Sequence, residues 1–264
     1  MTSEITLTLL LYLVITVRIF TFESPKKPSQ SQKIQLQFLL IGVLSTHALL
    51  LYPAIFSPQG LNLGFFNMLS LIAWLVIFLL SLNFLQKPVQ SLLVVFAPLA
   101  FILVLLAAFL PSNHLMDNLK SGVKMHIVTS IIAYSIFVLA ALQAIFMAIQ
   151  EHKLRQKQAG WVIQHFPALT TMETFLFQLL QAGFLFLTLG LVSGGLYLDN
   201  IFAQHLAHKT ILSIFAWFMF AYLLIGHWRY GWRGRVAIRW TIIGFSCLML
   251  SKSFYFAIIN NRYS

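Results

Sequence analysis

Residues 125–157 read MHIVTSIIAYSIFVLAALQAIFMAIQEHKLRQK, and this stretch decides the fold. From Met125 to Ile149 no Asp or Glu interrupts the apolar run. A run of about 20 such residues crosses a ~30 Å hydrocarbon layer as a helix, because only a helix satisfies its own backbone there. The run ends in a basic connector with Lys153, Arg155 and Lys157. Apolar runs of the same kind occupy approximately 4–22, 36–56, 65–85, 91–110, 174–198, 209–227 and 240–259. The pattern predicts an all-α, polytopic membrane helix bundle with eight transmembrane helices, forming one integral membrane domain over residues 1–264.

Composition agrees. Of 264 residues, 59% are hydrophobic and 9% charged. A soluble domain averages about 25% charged residues, so this chain lacks the material for a polar skin. Its 25 Phe and mean hydropathy of +0.86 exclude a disordered chain. The net charge of +11 reflects topology and lipid headgroups, so membrane lipid is an expected partner and nucleic acid is not. The lone Cys247 leaves no intramolecular disulfide and no Cys-x-x-Cys-His haem attachment motif. Glu4 stands where a signal peptide carries Lys or Arg, so the first run reads as a retained span.

The connectors set direction. Lys26, Lys27 and Lys33 follow span 1, Lys87 follows span 3, and Lys153, Arg155 and Lys157 follow span 5. Arg229, Arg233, Arg235 and Arg239 follow span 7. The other side carries only Lys120, Lys124, Lys209, Lys252 and Arg262. The positive-inside rule then puts the basic connectors in the cytoplasm and both termini on the outer, periplasmic side. Gly190 and Gly194 have GxxxG spacing, with Gly183 one heptad earlier, which suits close helix approach.

No carboxylate lies deep in a span, and no phosphate loop, nucleophile elbow or zinc-protease motif occurs. The chain is therefore not expected to be an enzyme in its own right. The histidines carry what chemistry there is. His114, His152 and His165 read as loop residues. His47 falls near the middle of span 2, in LLIGVLSTHALLLYP. It is either a polar group bonded to a neighbouring helix or a ligand facing the bundle. His126 opens span 5, with Ser130 and Tyr134 at i+4 and i+8 on the same side. His208 opens span 7 at the same membrane level. Two facing imidazoles suit a bis-histidine haem iron; ordinary interfacial histidines are the alternative. His205 and His208 have i,i+3 spacing with only Asp199 nearby, a weak zinc signal. His227 closes span 7 before the run WRYGWRGR, whose aromatic and basic residues suit the headgroup layer.

Several stretches together carry a resemblance. They are STHALLL around His47, KMHIVTSIIAYSIF around His126, the connector EHKLRQKQ, the run HFPALTTMETFLFQLLQAGFLFLTLGLVSGGLY, and AHKTILSIFAWFMFAYLLIGHWRYGWRGR. In this order they resemble the YpjD/HemX-type inner-membrane proteins of the cytochrome c assembly (CcsA/CcmC-like) superfamily. The resemblance covers most of the chain and is best over residues 120–240. It implies a multi-pass protein of the bacterial cell inner membrane that binds or handles haem in cytochrome c maturation. It further implies His126 and His208 as axial ligands of a non-covalent, b-type haem at the outer face. His47 and His227 become candidates for haem contact elsewhere along its path, and cytochrome c maturation or haem-biosynthesis proteins become the expected partners. Tyr134, Phe137 and Trp217 are candidates for the apolar lining.

The chain departs from the haem-delivering members at one place. Those members carry a tryptophan-rich outer segment with a Trp-Asp signature, whereas the connector between spans 6 and 7 here is DNIFAQHLAHK, without tryptophan. The alternative function is a non-catalytic scaffold or regulator that docks a cytoplasmic partner through the basic connectors 150–173 and 228–239. A small-solute transporter is disfavoured by the missing intramembrane carboxylates and broken-helix pairs.

Overall fold

A computed structural model describes the backbone of residues 2–22, 29–58, 60–85, 90–110, 115–116, 119–157, 167–197 and 204–260. Side chains are described at all of these except 2, 21, 22, 90, 91, 204–209 and 251–260. Eight helices stand among the described residues: α1 (Thr2–Phe22), α2 (Gln30–Ile55), α3 (Phe65–Phe84), α4 (Gln90–Phe109), α5 (Ser121–Arg155), α6 (Leu169–Tyr197), α7 (Gln204–Tyr230) and α8 (Arg235–Asn260). Seven of them, α1 to α7, are long and apolar enough to cross a membrane by length and composition. The all-α polytopic architecture expected from the apolar runs is thus present.

Local chemistry explains where the helices begin. The apolar run of span 2 starts at residue 36, yet α2 starts at Gln30. Ser29 caps it: its hydroxyl accepts the Gln32 backbone N–H, and the Gln32 side chain accepts the Ser29 N–H. This reciprocal capping box satisfies orphan donors of the first turn and draws the helix out past its apolar stretch. At the other end of α2, a three-stranded antiparallel sheet of β1 (Phe56–Ser57), β2 (Gly60–Asn62) and β3 (Leu115–Met116) ties the α2–α3 connector to the α4–α5 connector.

The chain divides into two compact units, the first built from α1–α4 with the sheet and the second from α5–α8. In the first, each helix packs on the next and α4 returns onto α1. In the second, α5 packs on α6, α6 on α7, α7 on α8, and α8 returns onto α5. Each unit is thus a closed ring of four helices. The burial is that of a protein dissolved in lipid. On α1 the exposed face is Leu7, Leu10, Leu13, Val14 and Val17, while Thr8 and Tyr12 are fully buried. In water that arrangement is inverted; in hydrocarbon it is expected, since polar groups must find partners inside the protein.

Small residues let the second ring close. An added Cβ at Gly183 would stand 3.0 Å from the Phe137 ring, and one at Gly244 would stand 2.8 Å from the Phe220 ring. Phe137 and Phe220 stack on each other at 4.1 Å between ring centroids, joining α5 to α7 across the ring interior. Gly122 lies directly under the Tyr197 ring. Without a dry partner to flee to, apolar side chains gain little by leaving lipid, so such close approaches supply the packing energy instead.

Candidate functional site

His126 lies in the second turn of α5, half-buried against α6. Its Nδ1–H donates to the backbone carbonyl of Gly190 at 2.7 Å. A helix carbonyl is reachable from a neighbouring helix only where no side chain screens it. Gly190 provides that bare patch: a Cβ there would stand 3.2 Å from Ser130 Oγ and 3.8 Å from Ser130 Cα. The bond also fixes the tautomer. A carbonyl only accepts, so the proton sits on Nδ1 and the neutral ring's lone pair sits on Nε2. Metal-binding histidines are commonly oriented in this way, with one nitrogen bonded to a backbone carbonyl and the other bearing the donor pair.

His208 is the fifth residue of α7, and its side chain lies outside the described residues. Its backbone level follows from the register of the second ring. The Phe137–Phe220 stack sets a common level for α5 and α7, which run in the same direction. His126 precedes Phe137 by 11 residues and His208 precedes Phe220 by 12, so the two backbones stand roughly 16–18 Å above that stack.

His227 stands at the opposite end of α7. Its ring stacks on Phe177 at 3.5 Å between centroids and 16° between planes, and its Nδ1–H donates to the Trp232 carbonyl at 2.8 Å. The chain can turn back because Gly231, at φ +66°, closes α7 in a conformation that glycine adopts without strain. Gly226 leaves room for the Trp232 indole, which lies directly over it. Glu173 holds the returning segment through the Gly234 N–H and Arg233. His227 therefore shares the tautomer of His126, at the other end of the same ring.

His47 is arranged differently. It is 1% exposed, and both ring nitrogens are bonded to side chains of other helices. Nδ1 meets Tyr12 Oη of α1 at 2.9 Å, and Nε2 meets Ser70 Oγ of α3 at 2.9 Å. Tyr12 also packs edge-on against the imidazole. Tyr12 and Ser70 escaped sequence reasoning, although both are polar residues inside apolar spans and on that ground deserved a search for partners.

The expected apolar lining is occupied by packing inside the second ring. Phe137 stacks on Phe220, Trp217 donates its Nε1–H to Thr188 Oγ1 at 2.9 Å and stacks on Phe184, and Tyr134 donates to Met249 Sδ at 2.6 Å. His152 is exposed beside Gln156, and His114 and His165 lie outside the described residues, as does the His205 side chain. Among the described residues no three of His, Cys, Asp and Glu stand close enough together to hold a metal ion. A porphyrin needs less from the protein, since it brings four nitrogens and asks only for axial donors.

The family model described as cytochrome C assembly protein matches residues 37–258. The chain is 31% identical over 194 residues to the inner membrane protein YpjD of Escherichia coli strain K12, covering 73% of each chain. The same figures hold for YpjD of Escherichia coli O157:H7. An uncharacterized 28.8 kDa protein of Azospirillum brasilense is 31% identical over 131 residues, covering 49% of this chain and 48% of that one.

Proposed function

Because the chain belongs to the cytochrome c assembly protein family, we propose that it is a multi-pass bacterial inner-membrane protein that handles haem in cytochrome c maturation. In this reading His126 and His208 are the axial ligands of one non-covalent haem. The observation that carries it is the His126 imidazole, held by the Gly190 carbonyl so that Nε2 bears the lone pair. The donor chemistry suits the group: a bis-histidine haem takes two neutral imidazoles, and the His126 and His208 backbones stand at a common level. When bound, haem would supply the iron and its own four nitrogens, and the chain would supply the imidazole nitrogens. His227 has the same prepared tautomer and is a contact for haem at the opposite end. His47, with both nitrogens engaged, is assigned to holding α1, α2 and α3 together.

The topology belongs to the same proposal. α8 is the eighth span, and both termini lie on the outer side, so that the end bearing Arg155, Arg233 and Arg235 faces the cytoplasm. Single cysteines placed near Asn62 and near Arg233, in a Cys247→Ser background, test it by labelling from the outside. The first should react in intact cells and the second only after permeabilisation.

The decisive experiment on function is a visible spectrum of the detergent-purified protein, oxidised and reduced. A Soret band lost in the double variant His126→Ala/His208→Ala is expected. A wild-type protein without one overturns the assignment.

One observation favours a second reading, a scaffold for a cytoplasmic partner. Glu151 accepts from both Arg155 and Arg235, at 2.9 and 2.8 Å, which joins the two basic connectors into one surface. That reading predicts co-purification of a partner, lost when Lys153, Arg155 and Lys157 are neutralised.

A further inference from the structure

Three donors converge on one carbonyl beneath His126. In helix α6 the Gly190 carbonyl already accepts the N–H four residues on, as every interior helix carbonyl does. The His126 Nδ1–H reaches it at 2.7 Å from α5. The Ser193 hydroxyl stands 3.1 Å from the same oxygen and 2.7 Å from the Leu189 carbonyl. A carbonyl oxygen has two lone pairs, so the third donor is in excess. Ser193 has one proton for two acceptors. Its shorter contact is to Leu189, which leaves the imidazole the better placed donor at Gly190. The balance depends on the α5–α6 spacing, set where Gly190 meets Ser130 Oγ at 3.2 Å from a would-be Cβ.

We propose that the Gly190 carbonyl, shared between His126 and Ser193, sets the donor strength of the His126 imidazole, and that Gly190 and Ser193 are positioning residues tuning the iron it binds. The inference rests on the assignment of His126 as an axial ligand. Its physical content is separate. An imidazole whose Nδ1–H donates strongly gains electron density at Nε2, which favours the oxidised iron and lowers the reduction potential. A weaker bond does the reverse. The fold therefore carries two levers of opposite sign on one bond, neither touching the metal.

The test uses the full chain in detergent with haem bound, by spectroelectrochemical titration. Ser193→Ala removes the competing donor and should lower the midpoint potential and slow haem loss. Gly190→Ala pushes α5 away and should raise the midpoint potential, with apparent haem affinity falling about 10-fold or more, as when an outer-shell partner is lost. Adding Ser130→Ala to Gly190→Ala removes the obstructing hydroxyl and should return the potential toward wild type. A purely structural role would lower thermal stability and leave the potential of the remaining haem unchanged, and that result overturns the proposal. So does a pair of single variants that shift the potential in the same direction. If Gly190→Ala does not fold, the sign of the Ser193→Ala shift decides alone.

A second readout needs no haem. Nitrogen-15 spectra of histidine-labelled, haem-free protein should show an Nδ1–H tautomer resonance that disappears in His126→Gln and moves downfield in Ser193→Ala. If the wild type binds no haem, the functional assignment and the tuning role fall together, and the same resonance marks only a packing contact. If haem binds and the resonance is unmoved by Ser193→Ala, the tuning role alone falls.

Discussion

The two helix rings use histidine in opposite ways. In the first ring His47 gives both nitrogens to side chains, Tyr12 of α1 and Ser70 of α3, and is sealed from everything else. In the second ring His126 gives one nitrogen to a backbone carbonyl, and that bond assigns the donor pair to the other. A neutral imidazole has one N–H and one lone pair. Bonding both to side chains makes a three-helix clasp; bonding the N–H to a backbone carbonyl fixes the tautomer. Residue type does not separate the two cases, since both are histidines on membrane-spanning helices. The kind of partner separates them: side-chain hydroxyls for His47 and a backbone carbonyl for His126.

The largest effect that breaks or sharpens this contrast is His126→Ala. Haem content, read from the Soret band against protein, should fall to near background, while the helical circular dichroism is retained. Next is His47→Ala, which should leave haem content in place. Two inter-helix hydrogen bonds and a packed ring are lost, at about 1–3 kcal/mol in all. The measurement is the midpoint of unfolding in a detergent titration. Loss of haem in His47→Ala with folding intact would invert the contrast.

Gly183→Ala should cost roughly 1–2 kcal/mol by the same titration, since its Cβ would press the Phe137 ring against Phe220. Tyr12→Phe keeps the ring and deletes the hydroxyl bonded to His47. It should cost about 0.6 kcal/mol, the average for hydrogen bonds between membrane helices, and no more than about 1.7 kcal/mol. Glu151→Gln is the smallest: its guanidinium partners are more than half exposed to solvent, so the change should be under about 1 kcal/mol and should shrink with added salt.

Much of the fold was legible because the bilayer imposes it. A run such as Met125–Ile149 has one physical solution in hydrocarbon, and the helix α5 realises it. The extension of α2 to Gln30 was also written in the chain, in the Ser29–Gln32 capping box, although hydropathy alone passes over it. The glycine spacing at 183 and 190 announced a close seam without naming the opposite surface. The short sheet had no signal, since strands of two and three residues carry no alternation to read. Of the candidate site, residue type and level along the membrane were legible. The bond from His126 to Gly190 was not, because it joins positions 64 residues apart through a backbone atom common to every residue.

Sequence alone determined that this is a membrane bundle, where its helices run, and which side chains are able to bind a metal. Those follow from transfer free energies summed over about 20 residues, a local quantity that no later packing reverses. Tertiary structure alone decided which group each imidazole meets. That choice depends on which hydroxyl or carbonyl lies within 3 Å of each nitrogen, and only the register between packed helices sets those distances.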